Sequence, residues 1–207
     1  HLAADSKDCY LLFESSNNER CSHCYWMQQS KDCLDCAFVN NSELCYQVFV
    51  AWNCYKLFFS KECRDCTDSY FLQDCVGLTN CYGCVGLRQK QYHIFNKPYS
   101  KEEYSKILEE KKAQIQQGNV EMLAQEFKDF AAKHINKYAS IQKSVNSTGN
   151  YLLNTKNCIS CFHGYEAENC KYGYHVWRNS KDNMDVCTVG RDAEMVYEAT
   201  NCGVGAY

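Results

Sequence analysis

The chain has 207 residues, of which 17 are cysteine, and it carries a net charge of −3. This weak acidity does not indicate a nucleic-acid partner, which usually meets a basic surface, and no apolar run approaches the roughly 20 residues of a transmembrane helix. The length suffices for a buried core, whereas disulfide-dependent domains are usually shorter than about 100 residues.

The cysteines of the N-terminal region follow a period of three residues. Twelve of them fall at positions divisible by three: Cys9, Cys21, Cys24, Cys33, Cys36, Cys45, Cys54, Cys63, Cys66, Cys75, Cys81 and Cys84. The 27 positions of this phase between Cys9 and Leu87 hold only Cys, Leu, Val, Met, Ala, Ser and Asn, although 23% of the chain is charged. Neither a helix nor a flat strand has a period of three. Short sides separated by corners do, so the pattern predicts a solenoid.

A step of twelve residues arranges this region in columns. It stacks four cysteines, Cys9, Cys21, Cys33 and Cys45, in the first inward column. It also stacks a polar column, whose amides can hydrogen-bond along a ladder and suit corners: Asn17, Gln29, Asn41, Asn53, Asp65 and Gly77. An outward aromatic column contains Tyr10, Tyr46, Phe58, Tyr70 and Tyr82. The sequence therefore predicts a mainly β fold, a narrow parallel β-helix-like solenoid with about twelve residues per coil, over residues 1–90.

Residues 91–148 break the period and indicate a loop followed by two helices. Ser100 and Glu103 have the spacing of a capping box, which predicts a helix from residue 101 to about 117. Gly118 and Asn119 end this helix and cap a second one, from residue 120 to about 136. The apolar face of the second helix comprises Met122, Leu123, Phe127, Phe130, Ala131 and Ile135. We expect an inserted αα-hairpin that covers one aromatic face of the solenoid, or alternatively serves as a docking arm for a partner.

Residues 149–207 resume the repeat as a second solenoid run. The step of three returns at Tyr151, slips between Trp177 and Asn183, and restarts at Met184. A four-residue motif recurs in both runs, for example as SKDC at residues 30–33 and as TKNC at residues 155–158. Its first position is Ser or Thr, its second is Lys, its third is a residue such as Asp or Asn, and its fourth is usually Cys. It is typical of a turn that redirects the chain; a ligand-binding ladder is the alternative.

Three segments resemble a family of uncharacterised cysteine-rich repeat proteins of metagenomic candidate-phyla bacteria and phages. They are residues 6–13 (SKDCYLLF), 83–88 (GCVGLR) and 94–104 (IFNKPYSKEEY). Members of this family often carry zinc-ribbon-like modules N-terminal to the corresponding region. The resemblance implies that the chain is a repeat module of a longer protein, and it implies no known activity.

Two groups of four cysteines are candidate metal ligands. The spacing of Cys21, Cys24, Cys33 and Cys36 is typical of zinc sites, and the predicted register places them in adjacent columns on adjacent coils. The register gives a second group the same arrangement: Cys54, Cys63, Cys66 and Cys75. Four thiolates in a tetrahedron suit zinc or an Fe–S cluster.

The alternative for these cysteines is a structural role. Buried cysteine behaves as a small hydrophobe, so reduced core thiols without a cofactor are the preferred interpretation, and disulfides are the third. Reduced thiols would favour a cytoplasmic location, which the sequence otherwise leaves open.

Function is predicted less specifically than architecture. The preferred hypothesis is a non-catalytic scaffold that binds another macromolecule, or a second copy of itself, through its aromatic column together with Trp26, Phe38 and Trp52. A metal-thiolate protein is the first alternative. A thiol-redox enzyme is the second, since His23, His163 and His175 each lie near a cysteine in the sequence.

Overall fold

The computed structural model describes residues 3–164, 171, 174–176, 184, 187–189 and 197–198. The chain divides into two compact units, His1–Ile135 and Asn136–Tyr207. The described residues are mainly β-structure, with mostly parallel strands and two helices. Neither of these helices is long and apolar enough to cross a membrane.

The first unit is built on one sheet of twelve short strands. They are β1 (Ala3–Ala4), β2 (Tyr10–Phe13), β3 (Ser15–Ser16), β4 (Ser22–Gln28), β5 (Ala37–Asn40), β6 (Glu43–Trp52), β7 (Tyr55–Arg64), β8 (Thr67–Tyr70), β9 (Gln73–Val76), β10 (Thr79–Tyr82), β11 (Gln91–Ile94) and β12 (Lys97–Pro98). Parallel partners lie twelve residues apart, as in Tyr10 with Ser22 and Tyr46 with Phe58. The sequence predicts this step of twelve. The last pair, β11 with β12, is antiparallel.

The period of three has a conformational origin in this unit. From residue 5 to residue 95 every third residue has a left-handed backbone, with φ between 44° and 70°. Two residues of other conformation and one left-handed residue therefore form the repeating group. Glycine, asparagine and aspartate tolerate this conformation best, which accounts for Asp8 and Asp32 just before cysteines in the recurring motif. The turn interpretation of that motif is consistent with these angles.

The residue that follows each left-handed corner faces the core. In this phase of the period, the 25 positions between Cys9 and Leu87 are all buried, and Cys9 and Leu87 themselves are half-buried. Outside the core, the amide ladder predicted for the polar column is present between Asn41 and Asp65: Asn41 Nδ2 donates to Asn53 Oδ1 at 2.8 Å, and Asn53 Nδ2 to Asp65 Oδ1 at 3.0 Å.

Helices α1 (Lys101–Gln116) and α2 (Val120–Ala131) complete the first unit. The capping box of Ser100 and Glu103 is present, which confirms that prediction. Helix α2 ends about five residues before the predicted end, because the N–H groups of Lys133 and His134 bond to carbonyls only three residues back and tighten the last turn. Ile135 is consequently fully exposed rather than part of the apolar face.

The helices cover the C-terminal end of the aromatic face, which confirms the packing role predicted for them. Leu123 and Phe127 of α2 and Tyr104 of α1 form one buried cluster with sheet residues such as Phe71 and Tyr82. Met122, predicted on the same face of α2, instead has 56% of its surface exposed.

The second unit also contains parallel strands, but its register varies. They are β13 (Ile141–Gln142), β14 (Gly149–Asn150), β15 (Leu152–Leu153), β16 (Cys161–Gly164), β17 (Tyr174–Val176) and β18 (Cys187–Val189). Partners lie eleven residues apart for Ile141 and Leu152, twelve for Phe162 and Tyr174, and thirteen for Tyr174 and Cys187. The step of thirteen contains the phase slip predicted between residues 177 and 183, which themselves lie outside the described residues.

Candidate functional site

All eight candidate metal ligands lie in the core of the first unit. Each has at most 2% of its surface exposed. In the first group, three pairs of thiols lie close enough to shift each other's pKa: Cys21 with Cys33, Cys33 with Cys36, and Cys36 with Cys24. The structure therefore brings these four cysteines into one connected group, as the register predicts.

The second group is less closely connected. The thiols of Cys54 and Cys63 lie close enough to that of Cys66 to lower its pKa to about 3. The thiol of Cys75, like that of Cys66, donates to two backbone carbonyls, those of Gln73 and Cys84 at 3.3 and 3.4 Å. The structure thus groups the thiols of Cys54, Cys63 and Cys66 most closely.

Thiols and hydroxyls make the same local hydrogen bond in these columns. The Cys24 thiol donates to the carbonyl oxygen of Ser22 at 3.0 Å, and the Ser60 hydroxyl donates to that of Phe58 at 2.8 Å, in each case two residues back. Cys33, Cys36, Cys54 and Cys63 repeat this contact at 3.1 to 3.4 Å. Cysteine and serine are therefore equivalent as local donors at an inward position.

Inward side chains also accept a hydrogen bond from the next rung. The N–H group of Leu72 donates to Ser60 Oγ at 2.9 Å, and the N–H group of Cys21 donates to Cys9 Sγ at 3.4 Å, across twelve residues. A buried N–H group needs such an acceptor. Sequence reasoning missed this role, although the recurrence of serine and asparagine among the cysteines was a signal for it.

The surroundings shift the pKa of the thiols in both directions: contact with Cys21 lowers the pKa of Cys33, and contact with Cys36 lowers that of Cys24. Burial raises the pKa of Cys75 to about 12, and burial together with the contact to Cys66 raises the pKa of Cys63 well above its usual value. The carbonyl oxygens that accept from the thiols would repel thiolates.

The cysteines from 9 to 84 are free thiols. Among the described residues, no group of three or more His, Cys, Asp or Glu side chains is arranged to hold a metal ion. Zinc or Fe–S binding stays a prediction.

The structure also places the histidines named for thiol chemistry. The His23 side chain is exposed and its ring packs edge-on against Tyr10, with 5.5 Å between ring centroids. Cys21 and Cys24, its neighbours in sequence, face the core instead. The side chains of His163 and His175 lie outside the described part of the chain.

A cleft of about 1120 Å³ lies between the sheet and the turn that joins the two helices. Its walls combine aromatic rings of β6, β7 and β8 with both helices, and they include Tyr46, Phe49, Phe58, Phe59, Tyr70, Phe71, Lys61, Lys112, Lys128 and Glu121. Phe58 stacks on Tyr70 with centroids 4.8 Å apart and planes inclined by 11°. Lys112 Nζ lies 5.6 Å from the centroid of the Tyr70 ring. Three lysines and one glutamate give this aromatic cleft a positive charge, in contrast to the whole chain.

The predicted contact residues differ in exposure. Tyr10 has 63% of its surface exposed, whereas Tyr82 at the other end of the column has 1% and lies beneath the helices. Trp26 and Trp52 are half-buried, and Phe38 is buried. Phe49, which the sequence analysis did not select, is 42% exposed in the cleft. The sequence analysis also considered only one aromatic column, whereas the structure has a second one beside it, in which Phe59 stacks on Phe71.

Comparison with known proteins adds little to this site. No protein-family model matches the chain, and no curated protein matches it in sequence. A matching solved structure is from Desulfovibrio desulfuricans G20 and bears a provisional acetyltransferase assignment. That match has 11% identity and a TM-score of 0.20, and it covers 93% of this chain and 59% of that chain. The chain thus spans less than two thirds of that protein, and so low a score supports no argument about activity.

Proposed function

We propose that the chain is a non-catalytic β-solenoid scaffold that binds another macromolecule through its aromatic face. The solenoid consists of narrow four-sided coils of about twelve residues, and the two helices are an insertion between its two runs. In the first unit, the constant register of twelve residues and the left-handed residue at every third position support this fold.

The exposed part of the aromatic face carries the functional proposal. Tyr10, Phe13, Leu34 and Phe49 each have more than 40% of their surface exposed in the first unit. Contiguous exposed apolar residues usually mark an interaction surface. The cysteines, by contrast, are engaged in core hydrogen bonds, so they are assigned a structural role.

A differential capture experiment tests this function. The full chain is immobilised beside its variants Phe49→Asp and Tyr55→Asp and exposed to an extract of cells that produce it. Tyr55 is a matched control because it is a 38% exposed aromatic residue of β7 that does not line the cleft. We expect specific partners with the native chain and with Tyr55→Asp that are lost with Phe49→Asp. Identical recovery on all three proteins, or none on any, would contradict the proposal.

The close grouping of Cys21, Cys24, Cys33 and Cys36 supports a second candidate, a metal-thiolate protein. Zinc or Fe–S binding by Cys21, Cys24, Cys33 and Cys36 requires these thiols to lose their protons. Elemental analysis of protein purified without oxygen separates the two proposals, because only the second expects stoichiometric metal.

A further inference from the structure

The aromatic face of the first unit is one continuous surface that helices cover only at one end. Its central column runs through parallel pairs from Tyr10 to Ile94. We define the open face as Tyr10, Phe13, Leu34, Tyr46, Phe49 and Phe58, and the covered face as Tyr70, Phe71, Tyr82, Val85, Ile94 and Phe95. Tyr70, Tyr82, Val85 and Ile94 continue the two columns of the open face, and Phe71 and Phe95 lie in the left-handed column between them.

The covered face shows which kind of element this surface accepts. Helix α2 places Leu123, Phe127 and Ala131 in the buried cluster with it. Phe127 lies 5.9 Å from Phe71, and Phe130 lies 5.0 Å from Phe95, between ring centroids. An amphipathic helix with aromatic and aliphatic side chains on one face thus packs on these columns.

The cleft is the point where the open face begins. Tyr46, Phe49 and Phe58 form its sheet wall, and the turn between the helices overhangs it at Gly118. The stacked rings of Phe58 and Tyr70 are nearly parallel, and ring edges carry positive partial charge. Lys61, Lys112 and Lys128 bring three positive charges to the cleft, and Glu121 brings one negative charge.

We propose that the open face and the cleft are a docking site for an acidic amphipathic helix of a partner protein. Its apolar face would continue the packing of α2 along the aromatic columns, and its acidic side chains would lie near the three lysines. This is the helix-in-groove mode of recognition. The inference rests on the proposed function and specifies the partner.

The chain itself supplies a suitable probe. A synthetic peptide of residues 119–132 (NVEMLAQEFKDFAA) has three acidic residues and one lysine and carries the face that packs on the covered columns. Binding of this peptide to the full chain is measured by calorimetry or by fluorescence of a labelled peptide. The same peptide with Phe127→Asp is the control for apolar docking.

Two pairs of protein variants locate the binding site. Phe49→Asp is compared with Tyr55→Asp, and Lys112→Glu with Lys106→Glu, an exposed position of α1 that does not line the cleft. We expect Phe49→Asp and Lys112→Glu to weaken binding about tenfold, with both controls near the native affinity. The charge-reversal pair keeps the test decisive if Phe49→Asp fails to fold, and added salt should weaken native binding.

Each other outcome overturns the inference. Absence of binding up to about 1 mM peptide would exclude a docked helix of useful affinity. Binding that is insensitive to Phe49→Asp and Lys112→Glu would mean that the peptide displaces α2 rather than occupying the open face. Dimerisation of the full chain that is lost in Phe49→Asp, without peptide binding, would assign the face to a second copy. Preferential binding of single-stranded oligonucleotides would assign it to nucleic acid. Success of the capture experiment with failure of the peptide would refute this inference alone.

Discussion

Ser60 offers a direct test of why small polar residues fill the inward columns. Its buried hydroxyl donates to the carbonyl oxygen of Phe58 at 2.8 Å and accepts from the N–H group of Leu72 at 2.9 Å. The substitution Ser60→Ala removes both bonds and leaves the N–H group of Leu72 buried without this acceptor. The substitution Ser60→Cys keeps a donor and an acceptor, as at Cys9, whose sulfur accepts from the N–H group of Cys21.

The magnitude follows from these contacts. A buried polar group that loses its partner costs about 1–3 kcal/mol, and Ser60 is only 4% exposed. We therefore expect Ser60→Ala to lower the free energy of unfolding of the first unit by about 2 kcal/mol. Ser60→Cys should recover most of that loss, because the larger sulfur atom accepts a weaker bond but adds apolar contact.

Urea unfolding followed by far-ultraviolet circular dichroism measures these differences. Ser105→Ala is the matched control, since Ser105 is exposed on α1 and donates only to the carbonyl of Lys101; we expect a change within about 0.5 kcal/mol there. The reasoning is refuted if Ser60→Ala unfolds at the native midpoint, or if Ser60→Cys is as unstable as Ser60→Ala.

Three further predictions concern the core, the corners and pH. Leu72→Asp places a carboxylate at a position with no exposure, so it should abolish the cooperative unfolding transition. Native-like circular dichroism with an unchanged urea midpoint would show that the inward register is wrong. Gln29 has φ of 50° in the polar column, so Gln29→Asn should stabilise the unit by up to about 1 kcal/mol, and a lower urea midpoint would contradict the cost assigned to left-handed corners. Because burial raises the pKa of Cys75 to about 12 and that of Cys63 well above its usual value, their contribution to stability is complete below the unfolded pKa near 8.5. It should fall above that pH by about 1.4 kcal/mol per pH unit for each thiol, whereas a metal-thiolate core would instead lose stability in acid.

The sequence predicts much of the first unit because its inward residues are small or apolar, and uncharged, at 27 consecutive positions three residues apart. That pattern together with the stacked cysteine, polar and aromatic columns predicts the twelve-residue register, and the spacing of Ser100 and Glu103 predicts the start of α1. The left-handed corners were harder to predict, because residues as unsuited to them as Val50 and Phe71 occupy this conformation. Tertiary packing overrides local preference at these positions.

The cleft depends on information that the sequence pattern lacks. Where the turn at Gly118 meets the sheet depends on how α1 and α2 pack on Phe71, Tyr82 and Ile94, which is a tertiary property. The early end of α2 has a similar cause, since a few hydrogen bonds after Ala131 decide it. In the second unit, steps of eleven, twelve and thirteen residues replace a constant period, and a pattern read at fixed spacing cannot follow them.

Thiol titration combined with elemental analysis tests the structural role of the cysteines most directly. Protein purified without oxygen is titrated before and after denaturation, and its zinc and iron contents are measured on the same sample. A core of reduced thiols predicts that the buried cysteines react only after denaturation, that all 17 thiols are then counted, and that metal is substoichiometric. Stoichiometric zinc or iron, or a deficit of thiols after denaturation, would contradict that role.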